Sequence, residues 1–89
     1  MLPVIRIFQG RYLIGTESKT LQIKGEVCMV RVGGGFERLE VYLRRNQESE
    51  LEKIRRLMVE QRKKYKTVIL EFLKRYGAET RVIENYNQM

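Results

Sequence analysis

Apolar and polar positions alternate with a period of two along the first third of the chain, and the period changes after residue 35. Val4-Ile5-Arg6-Ile7-Phe8 is β-branched and aromatic, which suits a strand, and Gln9-Gly10 closes it with a turn signal. Tyr12-Leu13-Ile14 is a second short strand ended by Gly15. After the polar turn Thr16-Glu17-Ser18, the run Lys19 to Lys24 places Leu21 and Ile23 on one face. Gly25-Glu26 leads into Val27-Cys28-Met29-Val30-Arg31-Val32, where Cys28, Val30 and Val32 face one way and Val27, Met29 and Arg31 the other. Four short strands with such brief connections predict an antiparallel meander, because parallel pairing needs long crossovers.

Gly33-Gly34-Gly35 interrupts this pattern. Three residues without Cβ atoms permit a sharp turn and a close approach of the backbone to something else. Beyond them Phe36, Leu39 and Leu43 recur at i, i+3 and i+7, with Val41 and Tyr42 between, and predict a short helix from near Glu37 to Asn46 lying across the sheet. Ser49-Glu50-Leu51-Glu52 reads as a capping box, and Glu48, Glu50 and Glu52 suit the positive end of a helix dipole. With no proline or glycine before Gly77, a helix of about 27 residues, near 40 Å long, is predicted from Glu50 to Tyr76.

Its apolar residues form two patches on one side. Leu51, Ile54, Leu57 and Met58 make the first; Tyr65, Val68, Ile69, Phe72, Leu73 and Tyr76 make a broader second. Read as heptads, the second seam position holds Gln61 and Arg75, which weakens a two-stranded coiled coil. The stripe is expected instead to pack on its own sheet or on a neighbouring protein. Residues 78–89 add a strand at Arg81-Val82-Ile83 or trail as a tail. The expected fold class is α+β: a small antiparallel sheet packed by a short helix (1–47), a long basic amphipathic helix (48–77) and a C-terminal tail (78–89).

Composition narrows the function. At 89 residues and 43% hydrophobic, the chain makes one domain with a modest core. Its 18 Lys and Arg face 11 acids, all Glu, for a net charge of +7. Such an excess favours an acidic partner through long-range attraction, without saying which polyanion. Cys28 is the only cysteine and there is no histidine, so neither an internal disulfide nor a Cys/His zinc site can be assembled and no metal or cofactor is expected. Cys28 itself reads as a small buried hydrophobe. No apolar run has the length to cross a bilayer and Met1-Leu2-Pro3 opens no signal peptide, so a reducing, cytoplasmic setting is expected. Without His or Asp no nucleophile and base pair is visible, and no enzyme activity is expected. The glycine triplet makes a poor phosphate cradle, since no Lys-Ser/Thr follows and Glu37 would repel phosphate.

Two groups of cations are candidates for binding. On the predicted long helix, Lys53, Arg55, Arg56, Arg62, Lys63, Lys64 and Lys66 have only Glu60 among acids in their interval, whereas a merely solvated helix interleaves Glu and Lys at i, i+4. The second group, Arg31, Arg38, Arg44 and Arg45, lies in or beside the glycine motif.

That motif carries a family likeness. Met29-Val30-Arg31-Val32-Gly33-Gly34-Gly35-Phe36 resembles the MVRVGGGW signature of the GAR domain, the microtubule-binding module first named for a growth-arrest-specific protein and found in spectraplakin cytoskeletal linkers. Tyr12-Leu13-Ile14-Gly15 resembles the family's tyrosine and glycine turn, and Leu39, Tyr42, Leu43 and Asn46 its following helix, so the likeness spans Arg11 to Asn46. Phe36 stands where the signature has tryptophan. The family's Asp-Pro-Cys continuation is missing after Asn46, so the zinc associated with some members is not carried over. The resemblance implies a non-catalytic structural module on the cytoskeleton, conceivable in a stable array such as an axoneme. It makes Met29, Val30, Val32, Gly33, Gly34, Gly35 and Phe36 the structural motif. Arg31, Arg38, Arg44, Arg45, Arg55, Arg56, Arg62, Lys63, Lys64 and Lys66 would then face tubulin. Two rival functions use the same long helix: nucleic-acid binding by its basic residues, which have only Tyr65 as an interleaved stacking aromatic, and an assembly subunit docking a non-tubulin protein, such as another microtubule-associated protein, through Tyr65, Phe72 and Tyr76.

Overall fold

The computed structural model describes residues 1–89. Five strands, β1 (Val4–Phe8), β2 (Arg11–Ile14), β3 (Glu17–Lys24), β4 (Val27–Val32) and β5 (Gly35–Arg38), precede three helices, α1 (Leu39–Gln61), α2 (Tyr65–Arg75) and α3 (Thr80–Asn87). The strands form one antiparallel meander in sequence order. An α+β fold with an antiparallel sheet and a long helix is thus as expected.

The core lies on both faces of this sheet. Leu13 and Ile14 are neighbours in β2, point to opposite faces, and are both fully buried. Ile14 joins Leu2, Val30 and Tyr42, with Leu21, Val32, Leu39 and Leu43 packed around them. Leu13 joins Ile7, Ile54, Val68, Ile69, Phe72 and Leu73, with α3 adding Val82, Ile83 and Tyr86. One helix therefore serves two faces: Tyr42 near the start of α1 belongs to the first cluster and Ile54 in its second half to the other.

Between them α1 crosses the β2–β3 turn at Gly15 and Thr16. Glu50, only 4% exposed, reaches that turn and accepts hydrogen bonds from the Thr16 N–H and Thr16 Oγ1, both at 2.7 Å. Lys53 Nζ donates to the other carboxylate oxygen at 2.9 Å. Tyr76, just past α2, donates its hydroxyl to the Thr16 carbonyl at 2.7 Å. A single turn residue thus fastens the sheet to two helices.

Several expectations are corrected. Phe36 does not open a helix. It pairs with Arg31 on a fifth strand, because the turn at Gly33, with φ of +52°, sends the chain back along β4 where its backbone groups find ladder partners. The three glycines form no close backbone contact, since a Cβ at any of them would meet nothing within 4 Å; the tight approach is at Gly15 instead. Ser49 does not cap a helix. It lies inside α1 with Oγ donating to the Asn46 carbonyl at 3.2 Å, so the two predicted helices meet without a break at residues 47–49. Cys28 is half-buried rather than interior.

The long rod from Glu50 to Tyr76 is also not formed. Helix α1 ends where Arg62 adopts the left-handed conformation, φ 52° and ψ 50°. The N–H groups of Arg62 and Lys63 donate to the carbonyls of Val59 and Met58, the Schellman pattern that closes a helix without requiring glycine. Helix α2 then folds back, its turn held by Lys63 Nζ on both oxygens of Glu71 at 2.9 and 2.7 Å. The fold-back buries Val68, Ile69, Phe72 and Leu73 in the domain's own core, a gain of roughly 1.5–3 kcal/mol for each fully buried side chain. Of the apolar patch expected to meet another protein, this buries Phe72 and half-buries Tyr76, leaves Tyr65 37% exposed, and divides the seam that self-association would need. Residues 80–87 are helical, neither strand nor tail, and the Glu79 N–H donates to the Ile7 carbonyl on β1 at 3.1 Å.

A left-handed arginine costs about 1–2 kcal/mol that glycine would not, partly offset by glycine's greater freedom in the unfolded chain. Arg62→Gly is therefore expected to raise stability by about 0.5–1 kcal/mol, measured by urea titration.

Candidate functional site

The signature hairpin of β4 and β5 is divided between core and solvent. Val30 is buried and Val32 packs beside it in the first cluster. Alternation turns Met29, Arg31 and the Arg31 partner Phe36 to the other side. There the Phe36 ring lies under two cations, Lys24 Nζ at 3.9 Å and the Arg31 guanidinium at 5.5 Å from its centre. Lys24 was not among the sequence candidates. The signal available was its shared parity with Thr20 and Gln22 on β3, which puts it on the face of Arg31.

The ten candidate cations fall into two classes. Arg38 pairs with Glu40, Arg45 with Glu37, Arg55 with Glu52 and Lys63 with Glu71, while Lys66 Nζ donates to the Met89 carbonyl at 2.7 Å. Arg31, Arg44, Arg56, Arg62 and Lys64 are exposed and have no carboxylate partner. They do not form one cluster along the chain: Arg31 is on β4, Arg44 and Arg56 on α1, and Arg62 and Lys64 on the α1–α2 elbow. Arg56 lines an open cleft of about 390 Å³ with Lys53, Glu60, Leu57, Phe72 and Thr16. That lining includes no nucleophile and base pair.

The node that sequence inspection missed altogether is Gly15, Thr16 and Glu50. Burial pushes the Glu50 carboxyl up, but the Thr16 hydroxyl, Lys53 and the Thr16 N–H outweigh that and hold it below the ordinary 4.5. It is a positioning device for the sheet, with the charged form already committed to internal donors.

The residues from Met1 to Leu51, comprising the whole sheet and the first half of α1, match the family model of the Growth-Arrest-Specific Protein 2 Domain. The chain belongs to that family. No match was found among curated proteins or among solved structures. Growth-Arrest-Specific Protein 2 Domains are generally associated with microtubule and cytoskeleton binding and are structural, not an enzyme family. Zinc, associated with some of these domains, does not fit the residues present in this one: Cys28 stands alone and no three His, Cys, Asp or Glu side chains gather as ligands. The helices after the matched region hold ten Lys and Arg against five Glu, whereas the matched region holds eight against six. Most of the domain's positive excess is thus carried by residues 52–89, outside the family match. None of its helices is long and apolar enough to cross a membrane.

Proposed function

We propose that this chain is a non-catalytic module that binds the microtubule lattice, with its uncompensated cations facing tubulin's acidic surface. The observation that carries this is the family match over residues 1–51 on a sheet that presents Arg31 of the signature to solvent above a half-buried Phe36. Arg44, Arg56, Arg62 and Lys64 add charge that is not spent on internal pairs. Arginine forks set geometry at carboxylates, while exposed lysine supplies mainly salt-sensitive attraction.

Co-sedimentation of the full chain with microtubules tests this. Pelleting is expected at low ionic strength and is expected to fall steeply as salt approaches about 0.15 M, where the screening length drops to about 8 Å. A folded sample that stays in the supernatant at low salt overturns the proposal.

A further inference from the structure

A row of side chains runs from edge to edge of the sheet on the face that Phe36 shares. Phe8 lies opposite Arg11, Arg11 opposite Thr20, and Arg31 opposite Phe36; Thr20 and Arg31 sit one residue beyond the Leu21–Val30 pair. Side-chain contacts tie two groups within it: Arg11 Nη1 donates to Thr20 Oγ1 at 2.8 Å, and Arg31 and Lys24 both lie over the Phe36 ring. Four strand spacings make the row about 19 Å long.

Helices cover Ile5, Ile7 and Leu13 on this same face but leave the row open, with Phe8 41% exposed and Arg11 and Arg31 exposed. The five ion pairs of the molecule involve none of Arg11, Lys24 and Arg31. An aromatic side chain at each end and unpaired cations between them is a surface complementary to carboxylates.

Three details choose among acidic partners. Phe36 is already occupied by cations, so its face is not free to stack a nucleobase; it holds Lys24 and Arg31 in place and lowers the entropy lost when they bind. Arg11 and Arg31 stand on strands two apart, about 9.6 Å. Carboxylates seven residues apart on a helix are separated by about 10.5 Å along its axis. The surface is an open sheet face with a shallow depression between Phe8, Gly10, Arg11 and Thr20, which suits an ordered surface better than a flexible tail that must pay for its own ordering.

We infer that the row Phe8–Arg11–Thr20–Arg31–Phe36, with Lys24, is the recognition face of the domain and takes an ordered, helix-borne acidic surface on the body of the microtubule lattice. This rests on the microtubule-binding function proposed above. The cations of the helices then contribute long-range attraction, and the row contributes geometry.

The test is co-pelleting of the full chain on intact microtubules and on microtubules whose tubulin tails have been removed by subtilisin. Four proteins are compared: wild type, Arg11→Glu/Arg31→Glu, the milder Arg11→Gln/Arg31→Gln, and Arg56→Glu/Lys64→Glu, each checked for native circular dichroism and melting. Both row variants are expected to bind about tenfold more weakly or worse, with the helix variant weakened by less than the charge-matched Arg11→Glu/Arg31→Glu and tail removal changing wild-type binding by no more than about threefold. Row variants that pellet like wild type overturn the inference and leave the microtubule function standing, whereas wild type that never pellets removes both. Loss of wild-type binding on tail-stripped microtubules overturns the ordered surface as the occupant. Row variants that lose a single-stranded oligonucleotide but keep microtubules overturn it in favour of nucleic acid.

Discussion

Gly15→Ala is expected to destabilise the domain by about 3 kcal/mol, the sum of a left-handed backbone penalty and overpacking against a buried neighbour. Gly15 has φ of +63°, and a Cβ there would lie 2.6 Å from Glu50 Oε1 and 3.0 Å from Glu50 Cβ. The neighbour cannot swing aside, because that oxygen accepts both hydrogen bonds from Thr16. Relief requires either lifting α1 from the turn or breaking the bonds. For a domain of this size the change corresponds to a fall in melting temperature on the order of 15 °C. Gly10→Ala is the internal control: φ is +81°, yet nothing lies within 4 Å of the added Cβ, so only the backbone penalty of about 1–2 kcal/mol applies. Equal melting temperatures for the two variants would show that Glu50 does not bear on Gly15.

Glu50→Ala is expected to cost about 2–4 kcal/mol, because it strands the buried Thr16 N–H and hydroxyl without partners. Lys53, half exposed, returns to water and contributes little to that figure. The pH dependence follows from the carboxylate. Desolvation raises its pKa, but the donated bonds win and the folded value lies below 4.5. The contribution of Glu50 is therefore fully present above about pH 5, starts to fade as pH drops through 4.5, and is lost once pH passes below the folded value. Urea titrations at pH 7 and at steps down to pH 3 should show the gap between wild type and Glu50→Ala narrowing with acid. A gap that stays constant would mean that the charged form of Glu50 is not what Thr16 and Lys53 hold.

Both variants act on the residues that orient α1 against the sheet, and neither alters an unpaired cation. If the row across the sheet recognises the lattice, refolded Glu50→Ala at low temperature should keep the microtubule affinity of wild type while melting earlier. This separates a scaffold residue from a binding one.

Much of the fold was legible one strand at a time. Val4 to Phe8 and Val27 to Val32 alternate cleanly, their turns are marked by glycine, and short connections leave an antiparallel meander as the simplest topology. The helical half was misdivided for identifiable reasons. Phe36, Leu39 and Leu43 have helical spacing, but Phe36 has a strand partner in Arg31, and a local period cannot register a partner that lies across a turn. Ser49 and Glu52 spell a capping box whose meaning depends on whether the backbone before them is already helical, and Tyr42, Glu50 and Ile54 keep it so by anchoring α1 along its length. At Arg62 no glycine or proline announces the break. Among the cations, sequence counts named the right residue types, but only coordinates separate Arg38, Arg45, Arg55 and Lys63, which are neutralised by glutamates, from Arg31, Arg44, Arg56, Arg62 and Lys64, which are not.

Alternation, glycine placement and the eight-residue motif suffice by themselves to specify an antiparallel sheet of this family and a strongly cationic chain, because each is a property of neighbours along the backbone. Where α1 turns into α2, which charges stay free, and the alignment of Phe8, Arg11, Thr20, Arg31 and Phe36 into one row are decided only by the tertiary structure. Those outcomes depend on contacts between residues far apart in sequence, where burying Val68 to Leu73 outweighs the cost of a left-handed arginine and strand register brings five separate segments into line.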